Sequence, residues 1–445
     1  MSRSRRMGTA ILILSVTLSA LWGYVLRREL HGGIGMVDFG AIYYGSRCAL
    51  QHKDPYDPGT VLREFEADGG RFPGESYAAE AAQAALINGI NLPTALFLAA
   101  PLALLPWGMA QILWIFFNAL PLVLAAYLLW DLGANRVPIL WLCLAGFILA
   151  NCQNLFFLGD AAGIAVGLCI IAACCFLRER HALAGVLLMA ISLLLKPHDG
   201  GFIWLYFLLS GGMLRKRALQ TFAVVSILGF FAIVWMGQVS PRWMHELHRN
   251  IRSELVHGGL NDPAPSATNS GVDRIIDLQA AISVFRNNPE VYNPVSYLIA
   301  GPLILIWAFV VMKRRFSSEQ APLALAAISV LTLLPVYHRP YDAKLLLLTI
   351  PACAMLWAEG GMRRWVALAL TSAGILVTSD LPLVWLLIFT KNLTASLATW
   401  TGKLMNVLLW PAPLVLLALG CFYLWVFIRR VFPLSGSTLH QHAAQ

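Results

Sequence analysis

Residues 36–57 read MVDFGAIYYGSRCALQHKDPYD. Asp38 stands ahead of the paired tyrosines Tyr43 and Tyr44, and a basic, histidine-containing turn follows. On both sides the chain changes character. An apolar stretch of about residues 7–26 precedes the block, and apolar runs follow it at 92–105, 109–130, 138–150, 160–177, 182–195 and 200–212. Further runs lie at 218–236, 293–312, 320–336, 344–358, 365–389 and 404–428. Of 445 residues, 58% are hydrophobic and 12% charged, with a mean hydropathy of +0.68. Soluble domains carry about 25% charged residues, and a bilayer crossing needs about 20 apolar residues. The pattern predicts an all-α polytopic membrane protein with about 11–13 transmembrane helices. A polar, aromatic block just outside the first crossing is where water-soluble chemistry can meet a lipid-borne reactant.

The net charge of +9 raises the question of nucleic acid. The basic residues, however, form short clusters between apolar runs instead of a stripe on one domain, so topology explains them and no nucleic-acid partner is expected. The clusters are Arg3, Arg5 and Arg6; Arg178 and Arg180; Arg215 to Arg217; Lys313 to Arg315; Arg363 and Arg364; and Arg429 and Arg430. Placing all six on the cytoplasmic side of a bacterial inner membrane puts five regions on the opposite face. These are the loop 27–91, Lys196 to Gly200, the segment 237–292, Tyr337 to Lys344, and 390–403. Arg27 and Arg28 run against the rule. The basic start and apolar centre of the N-terminus read as a retained signal anchor. One membrane domain, 1–430, is expected, with a cytoplasmic tail at 431–445. Between 91 and 178 the alternation fails by one crossing, so either 92–105 or 138–150 is a half-crossing. Broken helices at membrane depth are tolerated where they line a cavity.

Within the first loop, Asp57 is placed to cap a helix opened by Pro58, and 76–88 reads as a second short helix; both suit the membrane surface. The middle of 237–292, HGGLNDPAPSATNSG, reads as a flexible loop and a possible lid. The eight cysteines are scattered, without a disulfide framework or a CxxC pair.

Each polar motif has a plain reading beside a chemical one. Asp38 is either the N-cap of a short helix or a carboxylate whose pKa apolar neighbours raise toward that of a general base. Lys196, in KPHDG, is either a snorkelling lysine at a helix end or an ionisable group at the membrane boundary, where function is the default reading. His338, Arg339 and Lys344, in YHRPYDAK, bring three potential cations to one membrane edge, which suits a lipid phosphate; Asp342 is either a helix cap or part of that site. Gln153, Asn154 and Asp160 are either interhelical hydrogen bonders or the lining of a cavity. His245, His248 and His257 lack HExxH spacing or a close carboxylate, so no metal is expected there. The absence of a DxD triplet argues against metal-assisted use of a soluble nucleotide sugar. No P-loop, GxSxG or GxGxxG supports ATP, serine or dinucleotide chemistry.

Five fragments, taken together and in order, resemble glycosyltransferase family 87. They are the DF, YY and DPYD block after the first helix, QN at 153–154, AGVLLMAISLLLKP at 184–197, KPH at 196–198 and HRPYDAK at 338–344. That family comprises polytopic C-type glycosyltransferases typified by polyprenyl-phosphate-mannose-dependent α-mannosyltransferases. The resemblance implies a sugar carried on a polyprenyl phosphate, inversion at the anomeric carbon, and an aspartate at the head of the first outer loop as base, the place of Asp38. Two departures, the alanine- and glycine-rich stretch 66–91 and the lack of a glycine before Gln153, bear on the choice of acceptor. On this reading Lys196, Arg339, Lys344 and His338 hold the donor phosphate. Tyr43, Tyr44, Gln153, Asn154 and His198 meet the sugar or a glycan or glycolipid acceptor. No metal or cofactor is required. The rivals are a lipid or solute transporter and a polymerase or ligase using lipid diphosphates.

Overall fold

The computed structural model describes residues 3–30, 35–72, 77–265, 274–313, 319–390 and 397–432. Among them every regular element is helical. Six helices are long and apolar enough to cross a bilayer: Arg5–Gly23, Trp107–Leu132, Pro138–Leu158, Gly212–Val239, Pro289–Lys313 and Ala412–Val431. Their outer faces are greasy, with Ile112, Phe230 and Leu305 exposed by 69%, 63% and 70%. Such a surface is stable against lipid, not water. A bent pair, Met362–Val377 and Asp380–Phe389, meets at 72° and adds a broken span. Four shorter apolar helices are Pro93–Ala103, Ala162–Leu177, Ala182–Leu195 and Ala321–Leu331; the second and fourth are buried almost throughout.

Of the two candidates for the half-crossing, Pro93–Ala103 is the one that falls short of span length. The run at 138–150 continues through Gln153–Leu158 to span length, whereas the other candidate has 11 residues, about 16 Å at 1.5 Å per residue. Two apolar runs that read as single crossings are in fact divided. The run 365–389 breaks between Val377 and Asp380, and 404–428 breaks at Trp410, where Pro411 drives the preceding residue out of the helical region (φ −124°, ψ 70°). Thr378 to Asp380 and Trp410 are buried at the breaks, while Phe389 and Leu408 in the adjoining helices are exposed, so apolarity marks the run but not its continuity.

Basic clusters meet at one end. Asp131 pairs with Arg5 at 3.1 Å and Arg178 at 3.2 Å, and Arg430 pairs with Glu359. Ala182–Leu195 leads from that end to Lys196 over 14 residues, a rise of about 21 Å. Arg314, Arg315 and residues 433–445 lie outside the described residues.

One apolar core runs through the chain from Leu12 to Val431. A second cluster is built on the first loop, around Met36, Phe39, Tyr43, Tyr44 and Tyr56. Asp57 does cap Pro58–Ala67, accepting from the Thr60 N–H at 3.0 Å, and Gly69 (φ +81°) takes the left-handed turn beyond it. The second short helix runs Tyr77–Ile87. Both pack on the Val37–Leu50 helix, which is itself buried along most of its length, so the loop folds as a cap with these two short helices on its surface. The DPYD motif is structural. Asp54 takes the Tyr56 N–H and the Ser240 hydroxyl, each at 2.9 Å, and the Tyr56 carbonyl accepts from Asn250 at 2.9 Å, tying the two large loops together. In the expected lid, Asp262 secures the turn at Gly258 and Ala264, at 2.9 and 3.0 Å. Residues 266–271 of that stretch lie outside the described residues.

Candidate active site

Three interruptions in the helices converge at the end opposite Arg178. The first is Gly159, left-handed at φ +69°, after Gln153–Leu158. A Cβ there would lie 2.9 Å from the Cβ atoms of Met36 and Phe39, so only glycine lets the Val37–Leu50 helix dock. The Met36 N–H seals the contact by donating to the Phe157 carbonyl at 2.6 Å, and Trp114 donates to the Gly159 carbonyl at 2.7 Å. The second is Lys196, extended at φ −142°, ψ 85° because Pro197 follows it. The third is Tyr337 to Lys344, where Pro340 precedes the 3₁₀ turn Asp342–Leu348.

These breaks assemble a buried ion cluster. Lys196 Nζ donates to Asp160 Oδ1 at 2.9 Å and to Asp342 Oδ1 at 2.6 Å, and Asp199 Oδ2 lies 3.9 Å away. Asp160 also takes the Ala162 N–H at 2.6 Å, and Asp342 takes the Arg339 N–H at 2.8 Å. Lys196 lies 4.9 Å from the Tyr341 ring centre. Burial pushes the Tyr341 phenol well above its ordinary range, and the charges of Tyr337, Asp160 and Asp38 add to the rise. Asp38 therefore belongs to the same electrostatic neighbourhood as the lysine cluster. It is half-buried in the first turn of its helix. The cap reading fails, because the N-cap is Met36 and it caps with no side chain.

The remaining expected residues divide. Arg339 Nε donates to the Tyr337 hydroxyl at 2.5 Å and its Nη2 to the Leu260 carbonyl at 2.6 Å. His338 and His198 stack edge to face with centroids 5.2 Å apart. Lys344 departs from expectation. It is buried and donates to the Asn151 carbonyl at 2.6 Å, closing the end of the Pro138–Ala150 helix. Tyr43 and Tyr44, 0% and 1% exposed, also depart from their expected sugar-stacking role: their rings pack with Trp107 at 5.0 and 5.4 Å, and Tyr43 donates to the Leu105 carbonyl. The cap formed by the first loop buries both rings. Gln153 Oε1 and Asn154 Nδ2 are buried without a hydrogen-bonding partner among the described residues, while the Asn154 N–H donates to Asp380 at 2.7 Å. Sequence reading missed Asp199 and Asp380. Each is an acidic group inside or beside an apolar run, and that rarity was the available signal.

A family model, described as glycosyltransferase family 87, matches residues 90–337. The chain belongs to glycosyltransferase family 87. It is a multi-pass membrane glycosyltransferase that takes a sugar donor and an acceptor. No curated protein and no solved structure matches it. The matched span contains Gln153, Asn154, Asp160, Lys196 and Asp199; Asp38 precedes it, and His338 to Lys344 follow it.

Proposed function

We propose that the protein transfers a hexose, mannose in the first instance, from a polyprenyl phosphate to an acceptor hydroxyl on the extracytoplasmic side of a bacterial inner membrane. Asp38 deprotonates the hydroxyl, which attacks the anomeric carbon with inversion as the phosphate leaves. Arg339, beside the Lys196 cluster and His338, draws the phosphate end of the donor. The positive-inside rule supports the orientation, since Arg5 and Arg178 meet at the far end of the bundle. One observation carries the reading: the docking of the Asp38 helix on Gly159 beside the Asp160, Lys196 and Asp342 cluster. An arginine offers phosphate a two-pronged donor, and a positioned general base contributes about 10²–10⁴-fold.

The test is transfer of labelled mannose from a polyprenyl monophosphate, compared with a diphosphate, by the purified protein. Asp38→Asn is expected to bind the donor but lose transfer by at least about 100-fold. Undiminished turnover removes Asp38 from the role of base. Transfer from the diphosphate alone favours a polymerase or ligase.

A further inference from the structure

We propose that His198, Asp199 and His338 form a site for a divalent transition ion of the zinc class. Their ligand atoms lie within 4.8 Å of one another. His198 Nε2 is 3.8 Å and His338 Nε2 is 3.9 Å from Asp199 Oδ1, too far for hydrogen bonds. Both imidazole Nε2 atoms and both carboxylate oxygens of Asp199 are buried with no hydrogen-bonding partner among the described residues. Asp199 and His338 are themselves 0% exposed. Leaving such groups unpaired costs about 1–3 kcal/mol each, and more where they are charged.

The protonation pattern points the same way. His338 Nδ1 lies 2.8 Å from the Val336 carbonyl, which can only accept, so Nδ1 carries the proton and Nε2 presents a lone pair. That lone pair faces a carboxylate, which also only accepts. A cation between two acceptors turned toward each other across a gap satisfies both. A backbone carbonyl on the far nitrogen is the usual way in which a ligating histidine is oriented. Metal bonds of about 2.0–2.2 Å in a tetrahedral site separate ligands by roughly 3.4 Å, so the 3.8 and 3.9 Å histidine–carboxylate separations close with a shift of about half an ångström, and the widest separation, within 4.8 Å, with a shift of at most about 1.4 Å.

Charge balance gives an independent reason. Lys196 stands among three carboxylates, Asp160, Asp199 and Asp342, the farthest at 3.9 Å. A divalent ion neutralises that excess in a place where uncompensated charge is expensive. Two histidines and one carboxylate suit zinc and leave a fourth position open. The His198 side chain, 34% exposed, marks the accessible side. Resting on the proposed transfer reaction, this position takes an oxygen of the donor phosphate and supplies the positive charge that Lys196 spends on its carboxylates.

The experiment uses the full-length protein in detergent. After chelator treatment, one equivalent of Zn²⁺ should rebind by calorimetry, Co²⁺ should give visible d–d absorption bands, and Mg²⁺ should not compete. His338→Gln and Asp199→Asn should weaken Zn²⁺ binding by more than the ~10–100-fold that loss of an outer-shell partner costs. Asp38→Asn should bind as the wild type does. A folded wild type with no Co²⁺ bands, Mg²⁺ binding in place of Zn²⁺, or unchanged affinity in folded variants overturns the site. Sugar transfer without metal binding sinks the site alone, whereas metal binding without transfer from any polyprenyl donor sinks only the donor reading.

Discussion

Replacing Gly159 with alanine tests the joint on which the proposed site depends. Two costs follow from its surroundings. At φ +69° an alanine occupies the left-handed region, at about 1–2 kcal/mol. Its methyl carbon would also sit 2.9 Å from two Cβ atoms and 3.1 Å from Met36 Cα, where carbons pack at about 3.5–4.0 Å. Those neighbours belong to backbone-proximal positions of a buried helix and cannot swing away, so overpacking adds about 1–3 kcal/mol. The expected destabilisation is about 2–5 kcal/mol. Relief of the clash moves the start of the Val37–Leu50 helix, and Asp38 with it, so sugar transfer should fall in parallel. The control is Gly229→Ala, in the long Gly212–Val239 helix, where nothing lies within 4 Å of the added methyl. Thermal unfolding in micelles and initial transfer rates are the two measurements. If Gly159→Ala matches Gly229→Ala in both, the docking argument is wrong.

Lys196→Met should destabilise by about 3–5 kcal/mol, because it leaves buried carboxylates without their cation; an unchanged unfolding temperature would show that the acids are neutral without it. Asp57→Ala should cost about 1 kcal/mol through loss of the cap on Pro58–Ala67, seen as earlier proteolysis of the first loop, and a loop as resistant as the wild type refutes the cap's importance. Burial alone would raise the Glu64 carboxyl, yet hydrogen bonds from Lys53 and Gln51 and the charges of Lys53 and Arg47 hold it below its ordinary value of 4.5. The unfolded chain then takes the proton first, so this contribution is complete above pH 4.5 and is lost as pH falls through the lowered value. Glu64→Gln should flatten the acid limb of a stability–pH curve; an identical limb excludes the effect.

Much of the architecture was legible because lipid-facing and core-facing residues are both apolar, so runs such as 109–130 and 218–236 map directly onto Trp107–Leu129 and Gly212–Val239. The same property hid the breaks. Nothing in the hydropathy of 404–428 distinguishes a straight helix from two joined at Trp410, and only Pro411 marks the point. At the site, KPHDG and YHRPYDAK stood out as charge in a greasy chain. Their pairing did not, because Lys196 and Asp342 are 146 positions apart and Asp160 read equally as an interhelical hydrogen bonder or as the lining of a cavity. The cations were legible as cations, while the carboxylates that occupy Lys196 were not. The burial of Tyr43 and Tyr44 was hidden for a related reason: a loop of this length folds into its own core, and sequence alone does not reveal the inside of a loop.

Phe39, next to Asp38, lies between Trp107 and Trp114, with centroids 5.4 and 4.4 Å away. The residue proposed as base is therefore held by a transmembrane helix as well as by the loop helices packed on its own helix. Drift in the parts of 66–91 that do not pack on the Val37–Leu50 helix reshapes the doorway for new acceptors while the reactive carboxylate keeps its place, so relatives diversify what they glycosylate without rebuilding how they do it.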